Sequence, residues 1–434
     1  MNYFFIGIKG SGMSSLAAVL KDMGNNVAGS DVPTHYFTED KLKKKQIKIY
    51  DFGVKEFKEF SGTVILGNAF NEEHIDYQNA KSQKLEIISY ATLLNNLVTS
   101  LNSIAIAGTN GKTTTTGLTK EVLKHKEISY LIGDGTGVGN SKSEYFVFEA
   151  CEYQQTFLNY TPKYAIVNNI EFDHPDYFKD LAHVIESFQL FVNKVKTLII
   201  NGDDCNCQTI KHENKVTFGQ KENNTLRAES VEYLPEGIQV KLQYQEKNLG
   251  TFILPFYGEH MLYNALAAIC MGLVLNQPIE LIIRNLQEFS GVSRRFSEET
   301  LNQTKEVVLI DDYAHHGTAI KLTIEAIRQK YPDRQLTVIF QPHTFSRTSK
   351  FKKEFAKSLV LADKIIVTDV FGSAREQEAN ITSEVIIKEI NKLASHKTIE
   401  FSKLDTEQNK QVICLLGAGD IDLLYKEKIK KLFK

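Results

Sequence analysis

Apolar and polar positions along this chain fall into blocks whose period switches between strand-like and helix-like, and those blocks predict its elements. Tyr3-Phe-Phe-Ile-Gly-Ile8 is a continuous apolar run of strand length, the pattern of a buried parallel strand. From Met13 to Met23 the residues Leu16, Ala17 and Leu20 fall on one helical face. Asn26-Val-Ala-Gly29, ending at Ser30-Asp31, reads as a second strand. Thr63-Val-Ile-Leu66 and Leu85-Glu-Ile-Ile88 follow as further strands, with helical stretches between them. This alternation predicts a doubly wound α/β unit of roughly one hundred residues.

A second unit starts near Ser103, with strands at Tyr145-Phe-Val-Phe148, Tyr164-Ala-Ile-Val167 and Thr197-Leu-Ile-Ile200. Between about Lys215 and Phe256 the pattern changes to short alternating segments such as Gly237-Ile-Gln-Val-Lys-Leu-Gln243, as in an antiparallel sheet. A helix-rich stretch runs from Gly258 to Phe289, with Ala-rich packing around Asn264-Ala-Leu-Ala-Ala268. Gly291-Val-Ser-Arg-Arg-Phe296 reads as a boundary. After it a third alternation has strands at Val307–Ile310, Leu336–Phe340, Lys364–Val367 and Val412–Leu416. The predicted class is α/β, with three domains in series over 1–98, 99–291 and 292–434. They are a Rossmann-like N-terminal domain, a P-loop-type central domain with an added antiparallel sheet, and a Rossmann-like C-terminal domain.

A length of 434 residues suits several domains, since it exceeds what one core usually serves. The formal net charge of −2 gives no bulk electrostatic support for a nucleic-acid or anionic-membrane partner. The basic stretches Lys41-Leu-Lys-Lys-Lys45 and Lys426 to Lys434 read as solvated helix faces or tails. Five cysteines at irregular spacing argue against a disulfide framework, and Cys205-Asn-Cys207 is too close for a zinc knuckle. The chain opens on a strand rather than on a leader, and no apolar run is long enough to cross a bilayer. These features predict a cytoplasmic protein with reduced thiols, and they leave its oligomeric state open.

Ile104-Ala-Ile-Ala-Gly-Thr-Asn-Gly-Lys-Thr-Thr-Thr-Thr116 carries the clearest chemistry. An apolar strand feeds a glycine-bounded turn, then a lysine, then threonines that open a helical pattern. The backbone N–H groups of Gly108, Thr109, Asn110 and Gly111 suit phosphate oxygens, and the helix N-terminus adds positive partial charge. Lys112 can reach the β- and γ-phosphates, and the hydroxyl of Thr113, followed by Thr114, can ligate Mg²⁺. The usual P-loop would begin at position 106, which is Ile, so this is a compact variant, Gly108-Thr-Asn-Gly-Lys-Thr113.

Other polar runs end predicted strands, where open α/β sheets bind ligands. Gly7-Ile-Lys-Gly10-Ser-Gly12-Met13 stands where a dinucleotide fingerprint would, with Asp31 closing the next strand. Its spacing is Gly-x-x-Gly-x-Gly, which favours a pyrophosphate ligand other than NAD. Phe148-Glu-Ala-Cys-Glu152 offers two acids for Mg²⁺, and the sequence does not choose between Glu149 and Glu152. Asn168-Asn-Ile-Glu-Phe-Asp-His174 follows the next strand. Arg294-Arg295 could reach phosphates from the second boundary. Asp311-Asp-Tyr-Ala-His-His316, Gln341-Pro-His-Thr-Phe-Ser-Arg-Thr348 and Gly417-Ala-Gly419-Asp420 all end strands of the third unit, so they are expected on one edge.

Taken together, these segments resemble the Mur ligase family over the whole chain, including Asn264-Ala-Leu-Ala267 and Ser293-Arg-Arg-Phe296. The Asp-Asp-Tyr-Ala-His-His and Gln-Pro-His segments favour its alanine-adding branch. The resemblance implies that ATP phosphorylates the lactyl carboxylate of UDP-N-acetylmuramate and that the amine of L-alanine then attacks the acyl phosphate. It implies that Lys112 grips the γ-phosphate and that Thr113, Glu149 (rather than Glu152) and His174 serve Mg²⁺ or Mn²⁺. By the same likeness Asn264 would meet adenine, Arg295 the phosphates and Asp312 the ATP ribose. Tyr313, His315, His343 and Arg347 would line the amino-acid site. Gly7, Gly10, Ser11, Gly12, Met13 and Asp31 would hold the UDP-sugar. The chain departs from the family pattern at Asn110, where this branch usually has His, and at Gly317, where it usually has Pro. Rival readings are a peptide-recycling ligase of the same family, an NAD-dependent oxidoreductase and a non-catalytic ATP-binding switch.

Overall fold

A computed structural model describes residues 1–433 apart from 55–56, 58–59, 134, 293, 305 and 373–380. The first sheet has five parallel strands in the order Lys48–Asp51, Asn26–Asp31, Asn2–Ile6, Thr63–Leu66, Glu86–Ser89. The strand expected to run through Ile8 stops at Ile6, because Gly7 takes a φ of +82° and turns the chain into the helix Ser11–Asp22. Chain order reverses between Asn2–Ile6 and Thr63–Leu66, so the turn at Gly7 opens at the switch point of this sheet.

The second sheet has ten strands. Asn102–Ala107 lies between Tyr164–Val167 and Tyr145–Glu149, all three parallel. Each is apolar almost throughout, as a strand covered on both faces must be. Leu226–Leu234, Gly237–Tyr244 and Lys247–Leu254 continue this sheet beyond Lys215–Gly219, joined by two-residue connections of the hairpin kind. The added antiparallel element is thus an extension of the central sheet rather than a separate one.

The third sheet runs Ser297–Asn302, Val307–Asp312, Gln411–Leu416, Gln335–Phe340, Lys364–Val367. Its first pair is antiparallel and the others are parallel. The edge strand Ser297–Asn302 was not foreseen. It is largely polar, and Glu298 and Glu299 engage Lys330 and Lys430, the charged signature of a protected edge.

The chain packs as two compact units, Met1–Ser230 with Lys241–Phe252 and Tyr263–Phe289, and Val231–Val240 with Ile253–Leu262 and Ser290–Lys434. The first two sheets share one unit because glycines bring backbones together. A Cβ at Gly137 or Gly139 would stand 2.1 Å from the carbonyl oxygen of Ser15 or Val19 in the helix Ser11–Asp22. Asp22 also accepts the N–H of Gly139, and one buried apolar cluster runs from Phe5 and Leu16 to Phe148 and Phe188.

Candidate functional site

The turn Gly108–Gly111 leaves the middle of the central sheet and enters the helix Lys112–Val122. Gly108 (φ +132°) and Gly111 (φ +81°) supply backbone conformations that L side chains avoid. Three asparagines fix the turn from behind. Asn169 accepts the N–H of Asn110 at 2.8 Å and donates to its carbonyl at 3.2 Å, while Asn168 donates to the Thr115 hydroxyl at 3.0 Å. Asn264 accepts the Thr115 hydroxyl at 3.1 Å, and a Cβ at Gly111 would stand 2.4 Å from its Oδ1. Asn264 is thus a buttress of the loop. Thr109 bridges to Glu171, donating to its carbonyl at 3.2 Å and accepting its N–H at 2.8 Å. The departure at Asn110 is accommodated through its backbone.

Lys112 turns back into this turn. Its Nζ donates to the carbonyls of Gly108 (2.6 Å) and Thr109 (3.1 Å) and to both oxygens of Glu152 (2.9 and 3.1 Å). Burial pulls the ammonium pKa down, but the charge of Glu152 and its hydrogen bond outweigh that, so the net displacement is upward. Glu149 lies elsewhere on the edge. It accepts the Thr113 hydroxyl at 3.3 Å and the N–H of Gly133. The two acids thus stand at different positions: Glu149 faces the threonine hydroxyl, and Glu152 faces the lysine.

Of the expected metal set, Thr113 and Glu149 come together. His174 instead has Glu152 at 3.9 Å and Asp173 at 3.6 Å, with the Tyr153 ring at 4.5 Å. His174 holds a φ of +53°, a conformation costly for a non-glycine residue and common at functional sites. Among the described residues no three His, Cys, Asp or Glu side chains form a ready-made metal cluster. The hard oxygens of Thr113 and Glu149 still suit a cation that keeps much of its water, as Mg²⁺ does.

The first turn is held by the fold around it. Asp31 accepts the N–H of Lys9 at 2.7 Å and of Val32 at 2.8 Å, so its carboxylate shapes the turn that it was expected to serve by meeting a ribose. Gly7 lies against Phe70, where a Cβ would stand 2.2 Å from the ring, and Gly12 lies over the hydroxyl of Tyr90. Gly10, Ser11, Gly12 and Met13 occupy the start of the helix, with the N–H of Ser14 bonded to the Gly10 carbonyl.

In the other unit, strand order places the loops after Asp312, Phe340 and Leu416 side by side on one carboxyl edge. Gln341 donates to Asp420 at 2.8 Å, which ties the second loop to the third. Tyr313, His315, His343 and Arg347 gather there. The rings of Tyr313 and His315 are 5.3 Å apart and those of His315 and His343 5.9 Å, and Arg347 reaches His343 at 3.4 Å. Burial, then the charges of His316 and Arg347, hold the His315 imidazole well below its ordinary pKa, so it is neutral at pH 7. Thr344, just before the helix Phe345–Leu359, has a φ of +66°.

The two arginines at the boundary part company. Arg294 donates to the carbonyls of Gly417 (2.7 Å) and Gly419 (2.8 Å) and pairs with Asp422 at 3.3 Å, so it is held within the fold. Arg295 stacks on Tyr313 with 4.9 Å from guanidinium to ring. Asp312 accepts the N–H of Phe296 and of Ala314, both at 2.8 Å, which fixes the boundary and the loop before any ligand arrives. Ser293 lies outside the described residues. His260 was missed by the sequence, where a lone His in a helical stretch carries no signal. Desolvation, opposed by Asp312 and aided by Arg295, pulls it to about 4. All five cysteines are free, and no helix among the described residues is long and apolar enough to cross a membrane.

Known proteins resemble this chain over its whole length. The Mur ligase family, catalytic domain, matches residues 2–100, the Mur ligase middle domain 106–272, and the Mur ligase, glutamate ligase domain, 294–424. The chain is 42% identical to the UDP-N-acetylmuramate–L-alanine ligase of Limosilactobacillus reuteri over 100% of its own length and 99% of the relative. It is 41% identical to the enzyme of the same name from Lactiplantibacillus plantarum, over 99% of each. Among solved structures, the UDP-N-acetylmuramate–alanine ligase of Thermotoga maritima superposes with a TM-score of 0.80 at 25% identity, over 99% of both chains. A murein peptide ligase from Psychrobacter arcticus gives 0.65 at 21%, covering 100% of this chain and 99% of that one, a likeness of fold.

Proposed function

The chain belongs to the Mur ligase family, and from that premise we propose that it joins L-alanine to the lactyl carboxylate of UDP-N-acetylmuramate, with ATP converted to ADP and phosphate, in peptidoglycan precursor synthesis. The observation that carries this reading is the Gly108–Thr113 turn, with Lys112 and Thr113 beside two acids on the carboxyl edge of the central strands. The full-length identity to two UDP-N-acetylmuramate–L-alanine ligases supports the choice of amino acid. An NAD-dependent oxidoreductase would leave Lys112 without a role.

The chemistry is positioning and charge neutralisation. A lactyl carboxylate oxygen attacks the γ-phosphorus of ATP and ADP leaves. The alanine nitrogen then attacks the acyl carbon, phosphate leaves, and the new amide sheds a proton. Lys112 faces the γ-phosphate and the amides of Gly108–Gly111 cradle the phosphate oxygens. Thr113 and Glu149 are the residues that would hold Mg²⁺ or Mn²⁺, with His174 on the same edge; the cation, when bound, neutralises phosphate charge. The turn Gly7–Met13 takes the UDP pyrophosphate at its helix N-terminus. Arg347 takes the alanine carboxylate, among Tyr313 and two histidines of which His315 is uncharged. Arg295 and Asp312 are assigned to ATP, as is Asn264, which acts on it through the loop. The domains are 1–98 for the UDP-sugar, 99–291 for ATP and 292–434 for the amino acid.

Phosphate release tests the proposal, with ATP, Mg²⁺ and UDP-N-acetylmuramate screened across amino acids and the murein tripeptide. Release that needs the sugar nucleotide and is fastest with L-alanine is expected. Faster release with the tripeptide, or release indifferent to any amine, overturns the assignment.

A further inference from the structure

Lys112 is the cation of the nucleotide loop, yet its ammonium is saturated by groups of the protein. Three N–H donors meet two carbonyls of the turn and the carboxylate of Glu152. A γ-phosphate therefore cannot simply add to Lys112; it must take the place of one partner. The partners differ in what their release costs. The carbonyls of Gly108 and Thr109 belong to the turn itself. Glu152 is only 2% exposed, and parting it from Lys112 would leave a buried carboxylate without its strongest counter-charge. The cheaper exchange gives up a carbonyl and keeps the ion pair.

We infer that Glu152 is the positioning residue of the phosphate loop, keeping hold of the Lys112 ammonium while phosphate oxygens replace the turn carbonyls. The inference rests on the reading that Lys112 serves the γ-phosphate. Glu152 is well built for this task. It is anchored just before the short helical segment Tyr153–Asn159, and the N–H of Gln155 bonds its carbonyl. Glu149 instead accepts from the Thr113 hydroxyl and the N–H of Gly133, so the acids divide the work. One orients the lysine and the other stands at the cation position.

The test compares Glu152→Gln, Glu152→Asp and Lys112→Ala in the full-length enzyme. Gln keeps the shape and an acceptor for Lys112 but removes the charge. It is expected to lower kcat about 30- to 100-fold, at or below the low end of the roughly 10²–10³-fold cost of losing one aligned transition-state donor, since Lys112 itself remains. KM for ATP is expected to move less than about threefold, because the loop amides still bind the phosphates; Tm should fall somewhat, because buried Lys112 loses its counter-charge, so kcat per folded active site is the deciding readout. Asp keeps the charge and should recover part of the loss. A merely structural role would lower Tm or the active fraction and leave kcat per active site intact, and that result would overturn the inference. So would a folded Gln variant with wild-type kcat beside an inactive Lys112→Ala, which would leave the ligase reading standing. A Lys112→Ala enzyme of normal activity would remove both. Should the Gln variant not fold, the Asp variant carries the same split: lowered kcat at constant KM supports the inference, and wild-type kcat overturns it.

Discussion

Both glycine turns of the first unit close on a lysine, and the two lysines are wired alike but anchored differently. Lys9 donates to the carbonyls of Val32 (2.8 Å) and Thr34 (3.0 Å) and pairs with Glu39 at 3.0 Å. Lys112 likewise meets two carbonyls and a carboxylate. The partners of Lys9 lie on a different stretch of chain, 23 to 30 residues on by subtraction, so it staples the second strand and the following helix to the turn. The carbonyl partners of Lys112 are the turn itself, three and four residues back. A lysine that holds distant segments cannot leave without loosening the fold. One that holds its own loop can exchange a carbonyl for a phosphate oxygen where it stands. Side-chain exposure agrees: 5% for Lys9 and 16% for Lys112. A lysine beside a glycine turn is thus not enough to mark a catalytic cation; the sequence distance to its carbonyl partners decides.

The largest expected effect is therefore Lys112→Ala. It should lower kcat by about 10³-fold or more, since phosphoryl transfer depends on charges already in place; Tm should fall as well, because buried Glu152 loses its counter-charge, so turnover is read per folded enzyme. Single-turnover phosphate release with saturating substrates measures it. Near-normal turnover would erase the distinction between the two turns.

Arg347→Ala asks whether a cation outside either turn is functional. A charge-assisted pair with a substrate carboxylate contributes about 1.5–3 kcal/mol, so KM for alanine should rise about 10- to 100-fold. The constants for ATP and UDP-N-acetylmuramate should barely move. An unchanged alanine constant would take Arg347 out of the site.

Lys9→Ala should spare the turnover that Lys112→Ala abolishes. Tm should fall, because Glu39 loses its buried partner and two carbonyls lose a donor, while kcat at saturating substrate changes less than about threefold. Differential scanning calorimetry beside steady-state rates measures both. A kcat collapse at unchanged Tm would show that Lys9, too, turns out to meet phosphate.

The contrast also explains what could be read in the chain and what could not. Val-Ile-Leu at 64–66, Tyr164–Val167 and Lys364–Val367 announced their strands because buried parallel strands are apolar runs. Lys48–Asp51 and Ser297–Asn302 stayed hidden because edge strands are half polar and borrow their geometry from a neighbour. The loop Gly108–Thr113 was legible because glycines and lysine at fixed spacing have few other uses. Three side chains were placed at the ligand but are bound into the protein, at least in part: Asp31, Asp312 and Asn264. Each is a polar residue at a strand end or helix start, and sequence cannot tell a group that meets a ligand from one that shapes the loop meeting it. Glu152 was offered only as a second acid for Mg²⁺, because its pairing with Lys112 is set by tertiary distance.

Asp311 and Asp312 carry that distinction into the third sheet and give the smallest effect. Asp312 accepts two backbone N–H groups at 2.8 Å. Asp311, its neighbour, has Arg294 Nε 3.6 Å from an oxygen that accepts no hydrogen bond. Desolvation, moderated by Arg294 and reinforced by Asp422 and Asp312, raises its pKa from 3.8 to about 6. A carboxyl whose folded pKa is raised favours the folded state fully only below its unfolded value, and that advantage is lost as pH climbs through the folded one. Between pH 4 and about 6.5 the ionised Asp311 should therefore erode stability by about 1–2 kcal/mol, somewhat less than the full shift implies, because Arg294 can relax toward it. Asp311→Asn removes the titration and leaves Arg294 its bonds to Gly417, Gly419 and Asp422. Urea unfolding of both proteins at pH 4.5 and pH 7.5 measures the difference. The variant should gain on wild type as pH rises. A gap that is constant with pH, or one that narrows, would mean that Arg294 pairs with the ionised Asp311 well enough to cancel its burial, and the two aspartates would then be equivalent.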